Sequence, residues 1–224
     1  MGEGISAILG FAVGVAISPV PIIAVILMLF SERARVNGPV FLVGWVVALA
    51  VVSGVAYAVA DGGDASTDTG TADTVAWGKI VFGLLFLLLA VRTWRKRPTA
   101  GEEAEMPAWM AGIDGFTPAK ALGFGVLLAG VNPKNLMLAL AAGTAVATLG
   151  LSTGEAVGSL AVFVVLASLT IAAPVGYYVL GGQRAADALT ELKGWLALHN
   201  DAVMTVLFLV LGADLIAKGL PPLT

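Results

Sequence analysis

The 224-residue sequence contains no cysteine, which removes disulfide frameworks, thiolate metal sites and thiol redox chemistry together. A single histidine, His199, is too little for a histidine-rich metal centre, so neither a metal nor another cofactor is expected. Charge is also scarce: 12% of residues are Asp, Glu, Lys or Arg, against about 25% in a soluble domain. No GxxxxGK phosphate-binding loop occurs, so energy for any transport would come from an ion gradient, the membrane potential or a partner. The net charge is −3, and no nucleic-acid partner is expected; in a membrane chain the placement of charge matters more than its sum. What is abundant is apolar: 58% of residues are hydrophobic, mean hydropathy is +0.95, and 28 glycines suit closely packed membrane helices.

A bilayer core of roughly 30 Å needs about 20 apolar helical residues. Six runs approach that length. Residues 4–31, 36–60, 80–91, 156–183 and 202–213 hold no charged side chain, and 121–154 holds only Lys134. With flanking residues, these predict helices at about 4–30, 39–60, 76–93, 120–146, 155–181 and 201–217. A signal peptide over the first 30 residues is the weaker reading, because Glu3 is there and no basic residue precedes Arg33. Before the last helix, Ala185, Leu189, Leu192 and Leu196 share one helical face opposite Asp187, Glu191 and Lys193, which predicts an amphipathic surface helix over 184–198 with Trp195 at headgroup depth. Asn200 or Asp201 would cap the helix that follows, and Pro174 would bend the fifth.

Nine of the twelve basic residues lie in the loops after helices 1, 3 and 5, whereas Asp61, Asp64, Asp68 and Asp73 gather in the loop after helix 2. The positive-inside rule therefore puts the basic loops in the cytoplasm and both termini outside, in a multi-pass protein of the plasma (inner) membrane. The basic cluster opening at Arg92 could also hold anionic lipid headgroups.

The two halves of the chain echo each other. A shift of 114 lays Ser18-Pro19 on Asn132-Pro133 and Val43-Gly44 on Val157-Gly158; a shift of 122 lays LFLLLAVR (85–92) on LFLVLGAD (207–214). The expected fold is thus an all-α polytopic membrane protein of six transmembrane helices arranged as two inverted three-helix repeats: residues 1–98, a cytoplasmic linker over 99–119, and residues 120–224. An odd number of spans per repeat turns the second copy upside down, and such folds place their substrate site near the midplane where the copies meet.

Both copies carry a proline break at that depth, SPVP at Ser18–Pro21 and NPK at Asn132–Lys134. Proline removes an amide donor, so carbonyls near 14–18 and 128–132 must find partners in protein, water or substrate. An ammonium at the bilayer centre costs about 2.5–3.5 kcal/mol even on insertion scales, so Lys134 should face a wet cavity or an anion. Its counter-charge is either a substrate phosphate, sulfate or carboxylate, or Asp214; a titrating proton site is a further alternative. Candidate substrate-binding residues are Ser18, Pro19, Pro21, Asn132, Pro133, Lys134 and Asn135, and candidate ion-coupling residues are Lys134, Asp214, Asp201 and His199.

The segments SPVPIIAVILMLFS, GPVFLVGW, TPAKALGFGVLLAGVNPKNLMLALAAG and WLALHNDAVMTVLFLVLGADLI together resemble the actinobacterial Gap/Sap family, the glycopeptidolipid and sulfolipid-1 addressing proteins within the lysine exporter (LysE) superfamily. The resemblance covers nearly the whole chain, with NPK and its flanks its most specific part. It implies six helices and a role in moving lipids or glycolipids to the cell surface; the superfamily's thiol-redox branch needs cysteines that are missing here.

The leading expectation is export or flipping of a lipid or glycolipid with an anionic or polar headgroup, with membrane lipids as partners and a lipid-export complex or a homo-oligomer as the assembly. Alternatives are an ion-coupled exporter of a small polar solute and a non-transporting scaffold for such a complex. Catalysis is not expected, because His199 lies at the inner surface while Ser18 lies near the midplane, and the core has no carboxylates to hold a metal.

Overall fold

The computed structural model describes residues 1–62, 69–96 and 112–220. Most of the 99–119 linker, part of the acidic loop and the end of the basic cluster lie outside the described residues. All regular structure among the described residues is helical: α1 Gly2–Ala16, α2 Pro19–Leu29, α3 Ala34–Gly62, α4 Thr69–Lys96, a 3₁₀ turn at Ile113–Gly115, α5 Pro118–Val126 running into a π turn at Leu127–Val131, α6 Pro133–Ala147 and α7 Thr153–Gly219.

By length and composition, three stretches can cross a membrane, Ala34–Gly62, Thr153–Gly181 and Asp187–Ala217. The bent pairs Gly2–Ala16 with Pro19–Leu29 and Pro118–Val131 with Pro133–Ala147 bring the number to five if each is one broken span. The third expected helix, at 76–93, lies inside α4, which starts earlier, at Thr69. Outward-facing positions support a lipid environment: Val43, Val47, Val51, Val55 and Val59 recur every four residues on α3, each more than half exposed. Water-facing helices carry polar residues on that side.

The carboxyl-terminal region differs from expectation. The three elements expected at 155–181, 184–198 and 201–217 form one uninterrupted helix of 67 residues. Pro174 is accommodated within it, and no second proline follows before Gly219. Asn200 and Asp201 therefore sit inside a helix and cap nothing; Asn200 Nδ2 donates to Asp201 Oδ1 at 2.9 Å, and Thr205 Oγ1 donates to the Asp201 carbonyl at 2.6 Å. On the amphipathic face Ala185, Leu189 and Leu196 are buried, whereas Leu192 is exposed.

Two compact units emerge, and each draws on both halves of the chain: Met1–Gly63 with Glu105–Ala197, and Asp64–Ala104 with Leu198–Thr224. The core of the first contains Phe41, Trp45, Leu49, Ile26 and Phe163, all fully buried. Here α3 packs along α5 and α6. Glycine permits the approach: a Cβ on Gly125 would collide with the Phe41 carbonyl, and one on Gly143 with the Ser53 carbonyl. In the second unit Gly83 and Gly212 bring two backbones together, a Cβ on either falling within 2.9 Å of the other's carbonyl oxygen. Beside them the Phe86 and Phe208 rings stack 5.7 Å apart.

Candidate functional site

The two proline breaks build the site. At the first, Pro19 opens α2 and supplies no amide, and Ser18 precedes it in extended conformation. The chain bends by 55° between α1 and α2. At the second, the Asn132 amide reaches back five residues to the Leu127 carbonyl at 2.9 Å, which makes the preceding turn a π turn. In that register the Leu128 carbonyl faces Pro133, which has no proton to give. The bend between α5 and α6 is 64°.

A helix end leaves four carbonyls without intrahelical partners, and in an apolar medium each needs another donor. All four at the end of α1 have one. The Ile17 amide donates to Val13 O at 2.9 Å, Lys134 Nζ to Gly14 O at 2.8 Å, Ser18 Oγ to Val15 O at 2.7 Å and Thr170 Oγ1 to Ala16 O at 2.7 Å. At the second break, Asn135 Nδ2 donates to Leu128 O at 2.9 Å. Gly14 and Leu128 are 114 residues apart, the spacing that superposes Ser18-Pro19 on Asn132-Pro133 in the sequence.

Lys134 is 7% exposed, Ser18 3% and Asn135 not at all. Besides Gly14 O, Lys134 Nζ donates to Ser18 Oγ. Ser18 Oγ in turn lies 3.1 Å from Asn135 Oδ1, so its one proton is shared between that oxygen and Val15 O. Asn132 has a more local task, its Oδ1 accepting from the Lys134 amide at 3.1 Å as the cap of α6. Among the described residues the partners of Lys134 Nζ are two neutral oxygens, Gly14 O and Ser18 Oγ, and not the Asp214 carboxylate. The sequence-derived residues thus divide. Ser18, Asn132, Lys134 and Asn135 come together around the two breaks, Pro19, Pro21 and Pro133 shape them, and His199, Asp201 and Asp214 lie on α7 in the second compact unit.

Thr170 was not singled out from the sequence, whereas Gly14 and Leu128 lie in the two stretches of carbonyls, 14–18 and 128–132, that the prolines were expected to free. Thr170 is one of two hydroxyl residues within three positions of a charge-free run, beside Ser168, and that pairing was the available signal. Backbone carbonyls leave no sequence signal of their own beyond the proline that frees them.

The sequence model of the family described as Sap, sulfolipid-1-addressing protein, matches residues 8–221. The chain belongs to that family. The match embraces both breaks and the whole Lys134 cluster, so the site of this Sap-family protein lies within the part that defines the family. No curated protein and no solved structure matches the chain.

Proposed function

We propose that this protein exports or flips a lipid or glycolipid with an anionic or polar headgroup across the plasma membrane, toward the cell surface. Membership of a family described as sulfolipid-1-addressing supports a lipid as the substrate. The observation that carries a transport role is the buried Lys134 ammonium, which joins the ends of two broken helices and, among the described residues, is held by the neutral Gly14 carbonyl and Ser18 hydroxyl. A cation kept in an apolar interior at that cost is placed to meet a polar or anionic headgroup.

In this reading the chain has six spans in two inverted repeats, with both termini outside, which requires α7 to turn back in the membrane between its two apolar stretches, Thr153–Gly181 and Asp187–Ala217. The bends of 55° and 64° at matched positions support it, as do the equivalent carbonyls of Gly14 and Leu128, each met by a side chain of α6. Phe86 and Phe208, which correspond under the shift of 122, stack on one another, as residues beside a pseudo-two-fold axis do. The cluster is read as a binding site rather than a catalytic one. The Ser18 hydroxyl donates to a carbonyl and an amide oxygen, and Lys134 donates to it, so no base is set to take its proton.

Reconstitution with headgroup-labelled lipid tests the proposal. Wild-type protein is expected to move the label between leaflets, and Lys134→Met to slow it by roughly tenfold or more, the equivalent of one lost charge-assisted hydrogen bond. Lys134→Arg keeps the charge but misplaces it in a tight cavity, and is expected to rescue only partly. Full transport by folded Lys134→Met removes Lys134 from the mechanism, and no transport by wild type favours the scaffold.

A further inference from the structure

The oxygens around Lys134 form a set of their own. Gly14, Val15 and Ala16 end α1, where the helix dipole presents its negative pole. Gly14 O lies 2.8 Å from Lys134 Nζ. Ser18 Oγ contacts the same nitrogen and stands 2.7 Å from Val15 O and 3.1 Å from Asn135 Oδ1. An ammonium has three N–H donors, and two of them meet oxygens of the described residues. Carbonyls at the end of a broken half-helix, a hydroxyl and an amide oxygen are the ligands with which broken-helix transporters bind small monovalent cations. Divalent ions call for carboxylates, and no metal-binding group of His, Cys, Asp and Glu occurs among the described residues.

We infer that the Gly14 carbonyl at the end of α1 and the Ser18 hydroxyl, which Asn135 Oδ1 helps to orient, are the core of a monovalent-cation site which Lys134 fills with its own ammonium, and which Na⁺ enters when that side chain is cut back. The tethered ammonium replaces a diffusible ion, so the wild-type protein needs no Na⁺. Lys134 is anchored on α6 while its ligands lie mainly on α1 and at Ser18, so occupancy of the site ties one broken span to the other. The binding site follows from geometry alone; its place in transport rests on the export proposal.

The test is thermal unfolding of the purified full-length chain in NaCl, KCl and choline chloride at equal ionic strength. Wild type is expected to unfold at one temperature in all three. Lys134→Ala opens the space, and saturating Na⁺ is expected to raise its midpoint by about 5 °C over choline. Lys134→Met fills the space with an apolar chain and is expected to show no rise, and neither is the double variant Ser18→Ala/Lys134→Ala, which lacks the hydroxyl. Should Lys134→Ala fail to fold in choline, its recovery in NaCl is the expected result, and Lys134→Thr is read in the same way. A folded Lys134→Ala indifferent to Na⁺, an equal response from Lys134→Met, or failure of both short variants to fold even in NaCl overturns the site. Flux of headgroup-labelled lipid separates the two claims. Na⁺-dependent flux by wild type overturns the tethered-ion inference, whereas a Na⁺ response in Lys134→Ala alongside no flux by wild type overturns only the export proposal.

Discussion

Asn132 and Asn135 are identical side chains three residues apart with unequal work. Asn132 is half-buried and makes one capping bond to the Lys134 amide. Asn135 is fully buried, satisfies Leu128 O and offers its oxygen to Ser18. Removing a cap costs about 1 kcal/mol. Removing Asn135 leaves a buried carbonyl without a donor and opens a small void, together roughly 3 kcal/mol. Asn135→Ala should therefore lower the thermal midpoint in detergent clearly more than Asn132→Ala; equal losses would mean that water replaces the Asn135 amide. Both asparagines were legible as polar residues beside NPK, but their division of labour was not. It depends on the π turn, which turns Leu128 O toward Pro133, and a π turn has no residue pattern of its own. Lys134 was conspicuous because charge is conspicuous in an apolar run. One of its two partners, the Gly14 carbonyl 120 residues earlier, was legible only as one of several carbonyls freed by the Ser18-Pro19 break.

Among the elements, the two helix breaks were readable because proline acts locally: wherever the chain folds, Pro19 and Pro133 lack an amide proton. The continuity of α7 was not readable in the same way. Gly181-Gly182 and His199-Asn200 resemble helix ends, but glycine and asparagine only weaken a helix, and surrounding structure decides whether it stops. Close helix contact was expected from glycine in general, and the structure separates glycines that permit it from those that do not. A Cβ at Gly143 would collide with the Ser53 carbonyl and come within 2.8 Å of the Ala56 methyl, whereas one at Gly54 meets nothing within 4 Å. Alanine favours a helix over glycine by up to about 1 kcal/mol, so contact decides the sign. Gly143→Ala is expected to destabilise by about 1–3 kcal/mol through overpacking of α6 on α3. Gly54→Ala is expected to be neutral or slightly stabilising. Unfolding midpoints of the two variants in one detergent check this, and a stable Gly143→Ala would show that α3 and α6 can slide apart at little cost.

For the molecule as a whole, the grouping of helices into units is the least legible level, because it rests on contacts between distant residues such as Gly83 with Gly212. For orientation the sequence supplies an expectation that does not depend on the fold, through the charge in the loops. The loops after the first, third and fifth expected spans hold Arg33 and Arg35, then Arg92, Arg95, Lys96, Arg97 and Lys120, then Arg184 and Lys193. The loop between the second and third spans is acidic, and the positive-inside rule assigns the two kinds of loop to opposite faces. Lys134 is left out of that count, since it is buried between broken helices. On that rule positions 66 and 104 are expected on opposite sides, the first outside and the second in the cytoplasm. With no cysteine in the chain, Ser66→Cys and Ala104→Cys each provide one thiol against no background. In intact cells an impermeant thiol reagent should label Ser66→Cys at once and Ala104→Cys only after the membrane is permeabilised. The reverse pattern would invert the protein, leaving the Lys134 cluster intact but pointing the proposed transport inward. Equal labelling at both positions would mean an even number of spans between them, which is incompatible with two inverted three-span repeats.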